Sequence, residues 1–265
     1  MKRIVAALER IAPPLPDQTA KDASAYRWQN GTLHPVPNFA PVSLTLLTGI
    51  DAQRDAVVEN GRRLAAGHSA HDILLWGARG SGKSALVKSS IAALQAGGQD
   101  IILVEVSATE FADLPQLFEI LRQWDRPAVV FIDDLAFEGG DGSARALRSV
   151  LEGGAATRPD HVRLYVTSNR RHIVARDITE QDSAINPRDV VDDRLALADR
   201  FGLSLGFHAC DQETWLAMVA RYAAAFNLTY DPAEALTWAT QRGTRSGRIA
   251  WHYAVELAGR AGKAI

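Results

Sequence analysis

A chain of 265 residues with one cysteine, Cys210, cannot build a disulfide framework or a Cys-based metal site. Its seven histidines follow no ligand spacing, so they give no sign of a His-built metal centre. An excess of one charge is also missing. The 29 Lys and Arg against 31 Asp and Glu leave a formal net charge of −2, which fits neither an obligate nucleic-acid coat nor a membrane-surface protein. Nucleic-acid binding is therefore not assigned. No apolar run approaches membrane length, and Glu9 and Arg10 interrupt the aliphatics of Met1–Ala12 before a signal-peptide core forms. These absences predict a soluble, unexported, cytoplasmic protein with no membrane partner. Against them stands a hydrophobic content of 47%, ample for a sizeable core.

Residues 1–43 stand apart from the rest. A short amphipathic helix candidate is followed by Pro13, Pro14, Pro16, Pro35, Pro37 and Pro41, a pattern that predicts an arm or a packed extension. From Gly49 onward, short apolar runs alternate with helical patterns. Strands are expected at 73–77, 101–107, 128–132, 162–167 and 203–207, and helices at 51–66, 83–95, 114–124 and 143–152. That alternation predicts an α/β fold whose parallel sheet is covered on both faces. From Asp211 only helices follow, at 212–226, 232–242 and 247–259. The division is thus an extension over 1–43, a nucleotide-binding core over 44–208 and a helical unit over 209–265.

The chemistry begins at Gly77-Ala78-Arg79-Gly80-Ser81-Gly82-Lys83-Ser84, a complete G-x-x-x-x-G-K-[ST] phosphate loop directly after the apolar run Ile73–Trp76. Glycines let the backbone wrap a polyphosphate with its N–H groups inward. Lys83 supplies a cation to the outer phosphates, Ser84 offers a hydroxyl to Mg²⁺, and the contact stretch continues into Ala85 at the helix start. About fifty residues on, Val129-Val130-Phe131-Ile132 runs into Asp133-Asp134. Acids at the carboxyl end of a parallel strand face the crevice where phosphate binds, so Asp133 is the expected Mg²⁺ ligand opposite Ser84, and Asp134 the group that polarises water. Asn169, after the strand-like Tyr165-Val166-Thr167-Ser168, brings an amide to the same crevice.

This order of motifs resembles the AAA+ ATPases over roughly Leu47–Gly259. Within that superfamily the chain is most similar to an uncharacterised bacterial group of predicted ATPases, the DUF815 group. That similarity lies in Ala25-Tyr26-Arg27-Trp28, Leu47-Thr48-Gly49-Ile50-Asp51, Val150-Leu151-Glu152-Gly153-Gly154, Thr167-Ser168-Asn169-Arg170-Arg171-His172 and Asp199-Arg200-Phe201-Gly202. The resemblance implies a three-layer αβα P-loop NTPase sandwich around a five-stranded parallel sheet of order 5-1-4-3-2, followed by a small all-α lid. It implies ATP and Mg²⁺ as ligands, Ile50 packed on adenine and Asn169 as sensor 1. Arg200 becomes the finger given in trans to the next subunit of a homo-oligomer, and Arg248 becomes sensor 2 on the lid, ahead of Arg245. Each arginine also reads as an ordinary surface ion-pair residue.

The expected activity is ATP hydrolysis at a subunit interface, coupled to lid motion on a macromolecular client that no motif names. Asp134 is one methylene shorter than the glutamate commonly found there, which leaves open a slow-hydrolysing switch or loader, and Glu138 as a substitute base. The loop alone also permits a small-molecule kinase. The cluster Arg170, Arg171, His172 and Arg176 precedes an acid-rich stretch from 177 to 193 and has no interleaved aromatics for stacking bases.

Overall fold

The computed structural model describes residues 22–135, 150–151, 158–169 and 199–265. Glu138, most of the helix expected over 143–152, the Arg170–Arg176 cluster, the 177–193 stretch and the start of the chain lie outside them.

The elements are β1 (Ala25–Gln29), β2 (Thr32–Pro35), α1 (Asp51–Ala65), β3 (Ile73–Gly77), α2 (Lys83–Ala96), β4 (Ile102–Val106), α3 (Leu114–Trp124), β5 (Ala128–Ile132), β6 (Val162–Ser168), β7 (Leu203–Phe207), α4 (Gln212–Ala225), α5 (Pro232–Gln241) and α6 (Gly247–Arg260). They form an α/β fold around one mixed sheet of seven strands, in the order β2-β1-β4-β5-β6-β3-β7. Strand count and order therefore differ from the five-stranded expectation. The sheet continues past β4 with β1, which is parallel to it, and ends in β2, which is antiparallel to β1.

The two added strands come from the Pro-rich segment expected to be an arm or a packed extension. Asn30 and Gly31 both have positive φ, 51° and 74°, the backbone that a two-residue type I′ hairpin requires. Pro35 ends β2, an edge strand whose outer side needs no ladder donors, and Pro37 and Pro41 follow after it.

Strand side chains alternate between two apolar layers. Tyr26, Trp28, Leu74, Val104, Val130 and Val166 pack on one face with Leu117, Phe118 and Leu121 of α3. Leu75, Leu103, Phe131 and Tyr165 pack on the other with Val57 and Leu64 of α1 and Leu86, Val87 and Ile91 of α2. Both faces of β5 are fully buried, which is why it reads as an unbroken apolar run.

The last three helices close a third core around Trp215, Val219, Ala235, Trp238 and Tyr253. Side-chain caps start each of them. Asp211 accepts from Thr214 N–H at 2.7 Å, Asp231 accepts from Ala233 and Glu234 N–H ahead of Pro232, and Ser246 accepts from Ile249 N–H at 3.3 Å. Among the described residues no helix is long and apolar enough to cross a membrane.

Candidate nucleotide site

The phosphate loop turns between the end of β3 and the first turn of α2, and sterics explain its glycines. Gly77 has φ +127°, and a Cβ there would lie 2.0 Å from the carbonyl oxygen of Phe207. The close approach lets Ala78 N–H donate to that same oxygen at 2.9 Å, tying the loop to the end of β7. Gly80 and Gly82 also have positive φ, 75° and 95°. Gly82 precedes α2 as a residue without a side-chain cap, and the first turn of α2 holds no acid. The N–H groups of that turn are left to an anion, and the helix dipole favours one there.

Lys83 is buried at 4% exposure. Its Nζ donates to the carbonyls of Gly77 at 3.0 Å and Ala78 at 2.8 Å and to Asn169 Oδ1 at 3.0 Å. Burial pushes the ammonium below the usual lysine range. The Asp134 and Asp133 carboxylates oppose that shift, and the Arg79 and Arg248 guanidiniums add to it.

The acid-ended strand meets the loop directly. Ser84 Oγ donates to Asp133 Oδ1 at 2.5 Å, which brings together a hydroxyl and a carboxylate, two groups that could hold a hard cation. Thr167 Oγ1 donates to the same Asp133 oxygen at 2.6 Å and accepts from Asp134 N–H at 2.8 Å. Asp134 has φ +54°, so the chain bends sharply just after Asp133. The bend brings its carboxylate to Asn169, whose Nδ2 donates to Oδ1, and to Arg79, whose Nη2 lies 3.5 Å from Oδ2.

Lys83, Ser84, Asp133, Asp134 and Asn169 are thus gathered at the carboxyl ends of three strands. Thr167, absent from the sequence-based expectation, joins them. Its only sequence signal is a hydroxyl two residues before Asn169, in a strand where threonine is ordinary. Among the described residues no cluster of three or more His, Cys, Asp or Glu side chains is placed to hold a metal ion.

Two further parts surround this centre. Ile50 is buried, and its Cδ1 lies 3.6 Å from where a Cβ of Gly82 would stand. The start of α6 rests on the loop: Arg248 N–H donates to Gly80 O at 3.3 Å, and Trp215 Nε1 holds Ser246 O at 3.2 Å. Arg245 is set further back, its carbonyl accepting from Cys210 Sγ at 3.3 Å.

Arg200 is not in this group. It precedes β7, whose Leu203 lies opposite Ile73 at the start of β3, whereas Gly77 lies opposite Phe207. A Cβ on Gly202 would meet His71 Nδ1 at 2.2 Å, just ahead of β3. Arg200 therefore sits at the amino ends of the strands, about 15 Å of strand away from its own phosphate loop.

A family described as "Protein of unknown function (DUF815)" matches residues 21–261. The chain belongs to the DUF815 family. Its fold is an α/β, P-loop NTPase-like one, shared with solved structures of low sequence identity. It is similar to Thermotoga maritima RuvB, a Holliday junction branch migration motor, with a TM-score of 0.52 at 17% identity over 85% of this chain and 68% of RuvB. The A156S mutant of the same RuvB gives a TM-score of 0.54 at 18% identity over the same shares. A replication initiator DnaA bound to AMPPCP and single-stranded DNA gives 0.53 at 16% identity, over 82% of this chain and 64% of DnaA. No curated protein matches.

Proposed function

We propose that this DUF815 protein is an ATPase whose site is completed by a second copy of the chain and whose turnover moves the helical lid, residues 209–265, against the core on a macromolecular client. The observation that carries the reading is the convergence of Lys83, Ser84 and Asn169 on the paired aspartates, beside an uncapped helix start.

The residues present fit ATP and Mg²⁺. Ser84 and Asp133 would hold the cation, which would supply positive charge against the phosphates. Lys83 exchanges its loop carbonyls for outer phosphate oxygens, and the loop from Gly77 to Ala85 supplies N–H donors. Ile50 packs on the base. Asp134 takes up a proton from water as it attacks, and Asn169 positions that water. Arg248, on the lid, brings a guanidinium towards the phosphates over Gly80. Arg200 serves the neighbour, because it lies at the far end of its own sheet.

A slow-hydrolysing switch shares this site and differs in rate. It is favoured by the fact that both Asp134 carboxylate oxygens are already engaged, by Asn169 and Arg79.

Mixing Arg200→Ala and Lys83→Ala chains tests the shared site. Each variant alone is expected to turn over ATP at least about a hundredfold more slowly than the parent, and the mixture to regain a quarter or so of parent turnover, since one interface in four pairs an intact loop with an intact finger. No regain from two folded variants would show that the site is self-contained.

A further inference from the structure

Beside the nucleotide site, on the α2 face of the sheet, lies a cavity of about 680 Å³ over the ends of β1, β4 and β5. Its charged lining is Arg27, Lys88, Glu105, Glu110 and Asp133. It exists because the hairpin extends the sheet past β4. Arg27 lies opposite Glu105 and Glu105 opposite Phe131, so the three form one row across the floor. Asp133 stands two residues beyond Phe131.

Most of these charges are already spoken for. Lys88 Nζ pairs with Glu105 at 2.5 Å and sits 5.8 Å from the Phe131 ring centre, and Glu110 accepts from Asn30 N–H at 3.0 Å. Asp133 belongs to the nucleotide site. Arg27 is the exception: it is exposed, and its guanidinium has no hydrogen-bond or ion-pair partner among the described residues. Five donors in a planar fork at the rim of a cavity call for an oxyanion.

The chain carries a matching acid next to the residue that has to reach this region. Asp199 adjoins Arg200, is exposed, and has no partner among the described residues. A head-to-tail assembly in which Arg200 reaches the neighbour's nucleotide would bring the β7 amino-end corner of one copy to the β5 carboxyl-end corner of the next, a heterologous contact that would close into a ring or extend as a filament. The reach agrees. With strands about 4.8 Å apart and a rise of about 3.3 Å per residue, the Arg27 and Asp133 Cα atoms are separated by about 12 Å. Adjacent Cα atoms about 3.8 Å apart, one bearing an extended arginine and the other an aspartate, span a similar length between their charged ends.

We propose that this cavity is the receptor for the Asp199–Arg200 corner of a second copy. Arg27 binds the Asp199 carboxylate and so registers Arg200 on the nucleotide held at Asp133. The inference rests on the trans reading of Arg200 and adds to it a specific ion pair, one that makes this chain's β1–β2 hairpin part of the interface. Arg27 is a positioning residue, since it touches the neighbour and not the nucleotide.

A charge exchange tests it, in the full chain with Mg·ATP. Arg27→Asp and Asp199→Arg should each lower turnover, and assembly measured by solution mass, by about tenfold or more, because each sets like charges together at the contact. The double variant should return both to within about threefold of the parent, whereas a merely structural role at either position would leave the losses additive. Thermal midpoints verify that all three variants fold. A double variant no better than its worse parent, or single variants without effect, overturns the pair. If that happens while the Arg200→Ala and Lys83→Ala mixture still regains turnover, the pair is wrong and the trans site stands. If the mixture regains nothing, the trans site itself falls.

Discussion

Replacing Lys83 by alanine weakens Mg·ATP binding by at least about a hundredfold, and turnover falls with it, as expected when a charge-assisted donor to a developing charge is lost. Its surroundings give the reason. Nζ is held by two loop carbonyls and Asn169, so the ammonium already points into the loop and needs little ordering to meet phosphate. Burial lowers its pKa, and a triphosphate opposes that shift by supplying negative charge that the two aspartates provide only in part. Lys83→Arg does not rescue, because a planar fork does not fit the space of a compact ammonium. The check is a calorimetric titration with a non-hydrolysable Mg·ATP analogue beside a phosphate-release assay. Parent-like affinity in Lys83→Ala would remove the loop from the account.

Gly77→Ala acts on the fold instead. A Cβ placed 2.0 Å from the Phe207 carbonyl, at φ +127°, cannot be relieved by rotating a side chain, because the obstacle is backbone. Overpacking and a backbone conformation that L-residues avoid together cost about 3–5 kcal/mol. For a chain of this size that lowers the thermal midpoint by roughly 6–20 °C. Gly98→Ala is the matched control: its φ is +83° but nothing lies within 4 Å of the added carbon, so only the conformational part is paid, about 1 kcal/mol. Equal midpoints for the two variants would mean that the β7 contact does not hold the loop in place.

The phosphate loop was legible in the sequence because Gly77, Gly82, Lys83 and Ser84 each meet a separate requirement at fixed spacing, and the strand before them fixes where the loop points. The paired aspartates were legible through β5, buried on both faces and therefore apolar without a break. The hairpin was not. Tyr26–Gln29, Asn30-Gly31 and Thr32–His34 carry a usable signal, but the density of prolines around them read as an extension. What decides the pairing is the exposed edge of β4, a tertiary fact. Thr167 was not legible because threonine at a strand end has local reasons to be there. The cavity escaped because its floor is a row taken from three strands far apart in the chain. The placement of Arg200 needed the register of β7 against β3, which turns a position late in the sequence into a place at the opposite end of the sheet.

The solution mass of the protein at one fixed concentration, with and without a non-hydrolysable Mg·ATP analogue, tests most directly whether nucleotide is held between copies. The parent should move to a higher mass when the analogue is added, and Lys83→Ala should not. A parent chain that binds the analogue by calorimetry yet keeps one mass throughout would contradict the account.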